Sequence, residues 1–367
     1  MNNVRFIAMY LPQYHPIPEN DEWWGKGFTE WTNVALAKPQ YRGHVQPRVP
    51  ADLGFYDLRL PEVREAQAQL AKEAGLEGFM YWHYWFGNGR KLLERPFDEV
   101  LKSGKPDFPF CLGWANHSWS RKTWTAKNVA GKPTMLLEQL YPGVEDYEAH
   151  FYDVLPAFKD ERYIRVDNKP FFLIYDCINF PDLELFMTTW RELAVQNGLE
   201  GIHFVGNANG FVAESKIDEI IHSGVDAVCF SNGAAAQKKV AKGRIRLLFN
   251  KVKRKILHVG PEKYSYKKII ENVPMDYFDL ENIYPCISPG LDRTPRSGKD
   301  AVIFTGSTPE LFKAFASKVK RHVQERQGNH KIIMIDAWNE WGEGKYLEPD
   351  QTYGKGYLDA LRDVTQQ

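Results

Sequence analysis

The sequence has few cysteines, no excess charge and no long hydrophobic run. Its 367 residues include four isolated cysteines and equal numbers, 47 each, of basic and acidic side chains. Isolated cysteines exclude a CxxC pair and a disulfide framework, and they fit buried reduced thiols. A net charge of zero provides no field to attract nucleic acid. Because no segment has the character of a membrane span or a secretory signal, the sequence predicts a soluble cytoplasmic protein.

Three motifs of nucleotide and metal sites are also missing. No G-x-G-x-x-G loop follows the first apolar run, and the chain contains neither D-x-D nor H-x-x-x-H. The first motif binds dinucleotide phosphates, the second serves metal-dependent sugar transferases, and the third is typical of metal sites. The sequence therefore predicts no cofactor and no metal, although ligands gathered from separate strands would leave no such spacing.

Aromatic residues are unusually frequent. The chain has 11 Trp and 18 Tyr, many of them in glycine-rich segments such as DEWWGKGFTEW (21–31) and MYWHYWFGNG (80–89). Exposed rings bind the apolar faces of sugars and also serve protein interfaces. Ordinary core packing accounts for about half of them, so the remainder indicate a binding surface.

Eight apolar runs bounded by turn residues predict eight strands. They cover residues 5–10, 78–85, 109–115, 170–176, 203–208, 227–232, 284–290 and 332–338. Most are apolar throughout, as parallel strands covered on both faces are. Helical patterns punctuated by Pro and Gly lie between them at 61–75, 181–198 and 307–325, with a last one at 356–366. This alternation predicts a single-domain (β/α)8 TIM barrel over residues 1–367, with a doubly wound sheet as the alternative.

A basic insertion after the sixth strand, residues 233–283, interrupts the alternation. Between Lys238 and Lys255 it has nine Lys or Arg and no acid. One helical face there is apolar, with Ile245, Leu248, Phe249, Val252 and Ile256. Such a helix either packs on the barrel through this face or contacts an anionic membrane peripherally through residues 238–256. Both interpretations stay open at the level of sequence.

The strongest candidate for chemistry is WNEWGEG, residues 338–344, which follows the eighth predicted strand. Barrel enzymes collect their catalytic groups at the carboxyl ends of the strands, and glycoside cleavage needs two carboxylates. Gly342 and Gly344 permit a turn that brings Glu340 and Glu343 close together. The flanking indoles would raise the pKa of one acid by desolvation. A pair of glutamates three apart is also common on surface helices.

Polar and aromatic side chains near the other strand ends are candidates for sugar contacts. They are Tyr14, His15, Glu30, Trp31, His83, Trp85, Asn116, His117, Trp119, Asp176 and Asn207, joined by Trp338, Asn339 and Trp341 beside the acid pair. For each histidine, a hydrogen-bonded structural role is as compatible with the sequence as substrate contact. A helix cap is the alternative for Glu30.

Four segments resemble a known family. YLPQYHPIPENDEWWGKGFTEWTNV, GFMYWHYWF, LGWANHSW and WNEWGEG with the following LEPD are similar, in order from Met9 to about Tyr357, to the glycoside hydrolase family 99-like group of bacterial polysaccharide clusters called WbsX. Family 99 contains endo-α-mannosidases and α-mannanases on a metal-independent (β/α)8 barrel. The resemblance implies that Glu340 deprotonates the sugar 2-hydroxyl to form a 1,2-anhydro sugar. It implies that Glu343 is the general acid/base, with net retention.

This chain departs from family 99 at Gly342, where the family has histidine, so a preference for mannose does not follow. We predict an endo-acting, retaining glycoside hydrolase or transglycosylase on an α-linked bacterial polysaccharide. The alternatives are a glycosyltransferase of O-antigen or capsule assembly, a non-catalytic glycan-binding barrel, and an assembly scaffold. The missing D-x-D and phosphate loops disfavour a transferase, and the presence of both glutamates favours an enzyme. The sugar, its linkage and the oligomeric state stay open.

Overall fold

Eight parallel strands close into a barrel in a computed structural model that describes residues 4–120, 135–208, 216–231, 233–241, 252 and 260–367. The strands are β1 Arg5–Tyr10, β2 Gly78–His83, β3 Phe110–Trp114, β4 Lys169–Ile174, β5 His203–Asn207, β6 Ala227–Phe230, β7 Ile283–Ile287 and β8 Ile332–Ile335. Each pairs with the next along the chain. The pairing of β8 with β1 closes the ring. The predicted TIM barrel is confirmed, and all eight apolar runs are strands.

The predicted strands extend too far at their carboxyl ends. The run 78–85 keeps its ladder only to His83, and the run 332–338 keeps it only to Ile335. Trp338 is nevertheless fully buried. An apolar pattern reports burial, and the loops that leave these strands stay packed on the core after ladder pairing has ended.

Helices surround the barrel and also build the loops at its carboxyl end. Their bounds are Pro18–Trp24, Glu30–Leu36, Pro61–Glu73, Arg95–Ser103, Val144–Phe158, Leu183–Gln196, Ile217–Ile221, Gly233–Val240, Tyr266–Asn272, Thr294–Ser297, Pro309–Val323 and Gly356–Thr365. The four predicted helices are confirmed within a few residues. The helix Pro309–Val323 shows why: Thr308 accepts a hydrogen bond from the Leu311 amide, and proline occupies the first turn, where its missing N–H is not needed.

Shorter elements complete the loops. They are 3₁₀ turns at Asp276–Asp279, Gly298–Asp300 and Trp341–Glu343, and the two-stranded pairs Trp119–Ser120 with Met135–Leu137, Glu262–Ser265 with Val302–Thr305, and Asn339–Glu340 with Lys345–Tyr346. A two-residue strand, Arg165–Val166, pairs with the start of β4. The pair formed by Asn339–Glu340 lies in the segment with the predicted catalytic acids.

Aromatic rings fill much of the layer between strands and helices. The Trp190 ring of helix Leu183–Gln196 lies 4.7 Å from Phe172 of β4 and 4.6 Å from Phe186. Its Nε1 donates to the Tyr147 backbone oxygen at 2.9 Å. Such contacts explain part of the aromatic excess as core packing. All four cysteines are buried, and none of them forms a disulfide.

Of the basic insertion, the structure describes residues 233–241, 252 and 260–283. Helix Gly233–Val240 packs against helix Tyr266–Asn272, and strand Glu262–Ser265 pairs with Val302–Thr305 beside the barrel. The predicted amphipathic helix falls almost entirely on 242–251 and 253–259, outside the described residues, so both interpretations of it stay predictions. Across the described ranges, no helix has the length and apolar character to cross a membrane.

Candidate active site

The WNEWGEG segment forms a tight turn at the carboxyl end of the barrel. Asn339–Glu340 pairs antiparallel with Lys345–Tyr346, and Trp341–Glu343 is a 3₁₀ turn between them. Gly344 has a φ of 62°, in the left-handed region, and a Cβ there would lie 2.8 Å from the Asp292 backbone nitrogen. Only glycine meets both demands. The sharp turn predicted from the two glycines is confirmed.

Three side chains of this turn face the protein interior. The Asn339 amide forms two hydrogen bonds with the Leu11 backbone, at 2.8 and 3.0 Å, which fasten the end of β8 to the end of β1. Trp341 stacks on Tyr346 with 3.8 Å between ring centroids, and Trp338 lies 5.0 Å from the Phe79 ring. None of the three is more than 1% exposed, so their contacts are those of a scaffold.

A buried carboxyl group, Glu348, anchors the turn from below. It accepts hydrogen bonds from Trp341 Nε1 at 2.6 Å, Gln67 Nε2 at 2.7 Å and the Tyr56 hydroxyl at 2.9 Å. Burial raises the pKa of Glu348 to about 7, against these hydrogen bonds. Glu348 belongs to the LEPD segment, which the sequence singles out only through the family resemblance. Its three donors hold Trp341, and with it the acid-bearing turn.

The two predicted catalytic acids face outward from this scaffold and meet one guanidinium group. Arg296 Nη1 donates to Glu340 Oε1 at 3.0 Å and to Glu343 Oε1 at 2.9 Å. The side chains of Glu340 and Glu343 remain 15% and 12% exposed, whereas Arg296 is 4% exposed. Because both Oε1 atoms bond the same nitrogen, these two atoms are at most about 6 Å apart, which is compatible with the ~5–5.5 Å between the carboxyl groups of retaining pairs. The geometry fits the closer spacing expected from the sequence.

The environments of the two acids differ sharply. Burial would raise the pKa of Glu343, but Lys345, Arg293 and Arg296 together hold it well below its usual range. Lys345 Nζ lies 3.2 Å and Arg293 Nη2 3.0 Å from its carboxylate. Burial, reinforced by repulsion from Glu343, raises the pKa of Glu340 to about 7 against the attraction of Arg296. The surroundings thus shift the two pKa values in opposite directions, and the three cations favour the negative charge on Glu343.

Gly342 lies directly under a third carboxylate. A Cβ at this position would be 1.6 Å from Glu30 Oε1 and 2.8 Å from Arg296 Nε. Glu30 is completely buried, and its Oε1 accepts a hydrogen bond from Arg296 Nε at 2.8 Å. A histidine at position 342 has no room while Glu30 stays where it is. This chain thus has an ion pair where family 99 has a histidine.

Replacing Gly342 by alanine is expected to lower the free energy of unfolding by about 1–3 kcal/mol, because the new methyl overlaps a buried carboxylate, which must leave its contact with Arg296 to make room. Urea unfolding measures the change. Gly260→Ala is the matched control, since among the described residues the nearest atom outside its chain neighbours, the Gln40 backbone oxygen, is 3.9 Å from the new Cβ. Equal stabilities of the two variants would contradict the close packing at Gly342.

A cleft of about 520 Å³ opens beside Glu343. Its polar wall is formed from several strand ends, and it includes Asp176, Asn207, Arg293, Asp336, Glu343 and Lys345. Apolar residues, with Ile269 and Phe304 among them, complete the lining. Glu340 is partly exposed but does not line the cleft. Within the described part of the chain, no group of three or more His, Cys, Asp or Glu side chains is arranged to hold a metal.

Several predicted contact residues lie at or just behind the cleft. Asp176 and Asn207 line it. Asn116 supports Asp176 through two hydrogen bonds, from its Nδ2 to the Asp176 backbone oxygen at 2.9 Å and from the Asp176 amide to its Oδ1 at 2.7 Å. The His117 ring lies 4.9 Å from Tyr175, which lines the cleft. Burial lowers the pKa of His117, so its imidazole is neutral near pH 7.

The predicted residues of the first long loop pack beneath the acid turn. The Tyr14 hydroxyl donates to the Asn339 backbone oxygen and accepts from the Trp341 amide. Trp31 Nε1 donates to the Tyr56 backbone oxygen at 2.8 Å. His15 is buried with Nδ1 3.1 Å from the Pro12 oxygen, and burial lowers its pKa to about 4. Tyr14, His15 and Trp31 do not line the cleft, and neither does Glu30.

Three further candidates are absent from the lining of the cleft. His83 Nε2 is 2.8 Å from His150 Nε2 on the helix Val144–Phe158, and the Trp85 ring stacks on His150 with 4.6 Å between centroids. Burial lowers the pKa of His83 to about 4. Trp119 is 1% exposed and packs against Tyr84. The structure does not bring these three to the cleft, and their contacts fit the structural interpretation of the sequence.

Sequence reasoning missed the cations of the site. Arg293 and Arg296 come from LDRTPRSG after β7, and Lys345 directly follows WNEWGEG. The available signal was position, because both segments follow barrel strands at the end where catalytic groups collect. Nothing in the residue pattern showed that these cations pair with Glu340 and Glu343.

The sequence also matches a family model, described as glycosyltransferase WbsX, over residues 6–361. The chain belongs to the WbsX family. Two proteins from strains of Xanthomonas campestris pv. campestris, both called uncharacterized protein WxcX, are 34% and 36% identical to it over 98% of this chain. The alignments cover 49% of each relative, so the chain spans about half the length of the curated relatives it matches.

Solved structures similar to this WbsX-family chain include glycoside hydrolases. A glycoside hydrolase-like protein aligns over 99% of this chain and 94% of its own, with a TM-score of 0.61 and 16% identity. A GH99 endo-alpha-mannosidase from Bacteroides thetaiotaomicron, in complex with Bis-Tris-propane, aligns over 100% and 98%, with a TM-score of 0.57 and 14% identity. At these identities the similarity shows the fold. The resemblance stated from the sequence is confirmed.

Proposed function

We propose that this WbsX-family chain is a retaining glycoside hydrolase that acts on an α-linked bacterial oligosaccharide or polysaccharide, with Glu340 and Glu343 as the catalytic pair. The observation that carries the proposal is the pair itself. Two carboxylates with opposite pKa shifts share one guanidinium nitrogen at the carboxyl end of a barrel, beside a cleft. When the surroundings shift the pKa values of two acids in opposite directions, the two groups can serve as general acid and general base.

The charge distribution suggests which acid donates a proton and which one accepts a proton. Protonated Glu340 donates its proton to the glycosidic oxygen as the bond to the anomeric carbon breaks. Ionised Glu343 removes the proton of the sugar 2-hydroxyl, whose oxygen attacks the anomeric carbon to form a 1,2-anhydro sugar. Water then opens this ring, giving one proton to Glu340, while Glu343 returns its proton to the 2-oxygen. The family resemblance assigns these two roles the other way round.

The cations have a clear part in this mechanism. Lys345, Arg293 and Arg296 keep Glu343 ionised in a buried site, where an isolated carboxylate would take up a proton. Lys345 is itself held by Asp336, with 2.8 Å between Nζ and Oδ2. Asp336 and Asp176 line the cleft and are suited to accept hydrogen bonds from sugar hydroxyls.

Glycosyl transfer is the second candidate, favoured by the description of the family as a glycosyltransferase. The same acid pair serves it if a sugar hydroxyl replaces water in the second step, which makes a transglycosylase the nearest variant of the proposal. A cytoplasmic location and a place in O-antigen or capsule assembly stay predictions from the sequence.

The proposal is tested by incubating the purified chain with defined α-linked oligosaccharides and with bacterial polysaccharide, and following products by NMR. We expect new reducing ends with retained anomeric configuration, formed without added nucleotide sugar. Glu343→Gln should slow their formation by at least ~10²-fold. Glu62→Gln, an exposed change on the helix Pro61–Glu73, should not. Product formation that requires a nucleotide sugar would replace hydrolysis by transfer, and undiminished rates in Glu343→Gln would remove the pair from the mechanism.

A further inference from the structure

We infer that Arg296 is a positioning residue that sets the geometry of the acid pair, and that Glu30 holds Arg296 in place; this rests on the proposed function. Three carboxylates meet one guanidinium group. Arg296 Nε donates to Glu30 at 2.8 Å, while Nη1 donates to Glu340 at 3.0 Å and Glu343 at 2.9 Å. We call these three contacts the Arg296 bridge.

The Arg296 bridge joins loops from three strands of the barrel. Glu30 begins the helix Glu30–Leu36 in the loop after β1, and its amide donates to the Gln13 oxygen at 3.0 Å. Arg296 is carried by the short helix Thr294–Ser297 after β7. The two glutamates of the pair follow β8. Loops distant in sequence are thus tied together by one side chain, at the point where the proposed chemistry occurs.

A second set of hydrogen bonds joins the loop that carries Arg296 to the turn that carries Glu340 and Glu343. The Asp292 amide donates to the Glu343 backbone oxygen at 2.6 Å. Asp292 Oδ1 in turn accepts from the Thr294 amide at 3.1 Å and from its hydroxyl at 2.6 Å. Asp292 is 1% exposed. The backbone that carries Arg296 is therefore fastened to the backbone that carries Glu343, independently of the guanidinium contacts.

Glu30 is suited to hold Arg296 because its buried carboxylate bonds no other side chain among the described residues. Its side chain is completely buried, and within the described residues Arg296 is its only hydrogen-bond partner. The absence of a side chain at Gly342 makes room for its carboxylate. The hydrogen bond from Nε to Glu30 fixes one end of the planar guanidinium, which leaves it fewer orientations that take Nη1 away from the acid pair.

Arginine is the residue type that this arrangement requires. Two carboxylates held close together repel each other, and a cation between them keeps both in place. The rigid guanidinium fork reaches several acceptors in fixed directions, whereas the lysine ammonium is a point charge on a flexible stem. Lysine at position 296 therefore restores the charge and loses the geometry, which separates the two contributions in an experiment.

The test combines titration with kinetics on Arg296→Gln, Arg296→Lys and the wild type. Carbon-13 NMR of glutamate side-chain carboxyls, with Glu340→Gln to assign the signal, follows the pKa of Glu340. We expect Arg296→Gln to raise this pKa by about one unit or more and to lower kcat at least ~10²-fold, with KM changed less than about threefold. Arg296→Lys should restore most of the pKa and little of kcat.

The matched control is Arg326→Gln. Arg326 is also buried, and it donates to the Phe278 and His330 backbone oxygens at 2.6 and 3.2 Å. These residues precede β7 and β8, whereas the acids follow β8. Arg326→Gln should leave the Glu340 pKa unchanged, even if it destabilises the fold. Circular dichroism establishes that each variant is folded before titration, and Arg296→Lys supplies the kinetic comparison if Arg296→Gln does not fold.

A double substitution tests the anchor. Gly342→Ala alone should displace Glu30 and lower kcat, as Glu30→Ala should by releasing Arg296. The pair together should lose about as much as the larger single change, because the clash and the anchor are the same contact. If the fold-loss of kcat in the double variant equals the product of the two single losses, Gly342 and Glu30 act separately. That result would overturn the assignment of Glu30.

Failure of this inference differs from failure of the proposed function. If folded Arg296→Gln keeps the Glu340 pKa and kcat while Glu343→Gln is inactive, the Arg296 bridge is wrong and the hydrolase stands. If the wild type cleaves no glycoside and the Glu340 pKa still moves in Arg296→Gln, the contact is right but does not position a hydrolase, and the inference falls with the function. Full kcat in Arg296→Lys overturns the requirement for a guanidinium group.

Discussion

Glu340→Gln is expected to slow cleavage of an unactivated oligosaccharide by ~10²–10⁴-fold, and to leave cleavage of an aryl glycoside with an acidic phenol within about tenfold of wild type. The physical reason is that a phenolate of low pKa departs without protonation, so the loss of the proton donor costs little. Burial and repulsion from Glu343 raise the pKa of Glu340 to about 7, which suits it to the role of proton donor in the proposed mechanism. Parallel kinetics on the two substrate classes measure the difference.

Glu343→Gln should behave differently, because both substrates need its charge. The amide cannot take the proton of the 2-hydroxyl, so cleavage of the aryl glycoside should fall along with that of the oligosaccharide. Glu62→Gln, exposed and remote, is the control for both substrates. If the activated substrate rescues Glu343→Gln and not Glu340→Gln, the roles implied by the family resemblance are correct and the roles suggested by the charge distribution are wrong.

The rate of the same reaction should depend on pH in a defined direction. Since Glu340 must be protonated at the start, kcat/KM for the oligosaccharide should be full below its pKa of about 7 and should fall as pH rises through that value. Glu343 is ionised throughout this range, because its pKa is lowered far below it. The alkaline decline should vanish in Glu340→Gln, and a decline at the same pH in that variant would assign it to another group.

The free energy of unfolding should fall by about 3 kcal/mol or more in Glu348→Ala, the largest stability effect we expect of a single change near the site. The substitution removes the acceptor of three buried donors: Trp341 Nε1, Gln67 Nε2 and the Tyr56 hydroxyl. Each buried donor left without a partner costs about 1–3 kcal/mol, and removal of the side chain leaves a cavity as well. Urea unfolding of the full chain measures the loss.

The control for Glu348→Ala is Glu62→Ala, an acid-to-alanine change on an exposed helical surface, which should stay within about 0.5 kcal/mol of wild type. The free energy of unfolding of Glu348→Gln should lie between those of the two alanine variants. Its amide oxygen still accepts a hydrogen bond, but its NH₂ group is a donor placed against another donor. A loss below about 1 kcal/mol in Glu348→Ala would mean that the three donors find other partners. The turn carrying Glu340 and Glu343 would then not depend on this carboxyl group.

The amino-acid sequence by itself determined the barrel and the end of it that carries the WNEWGEG segment. Eight apolar runs became eight parallel strands because a parallel strand covered on both faces requires uninterrupted apolar residues, a property legible along the chain. The run 332–338 predicted β8, although the strand itself ends at Ile335. WNEWGEG was identified as the acid-bearing turn because strand order places it at the carboxyl end of the barrel.

Only the tertiary structure decided which side chains meet there. Arg296 is 44 residues before Glu340 and 266 after Glu30, and no local pattern records such pairings. The same holds for direction: Asn339 and Trp341 point into the scaffold, while Glu340 and Glu343 point out. The position of the proton depends on the sum of burial and several charges, and that sum exists only after folding. Sequence periodicity encodes what a residue does along its own element, and contacts between loops are set by how the barrel closes.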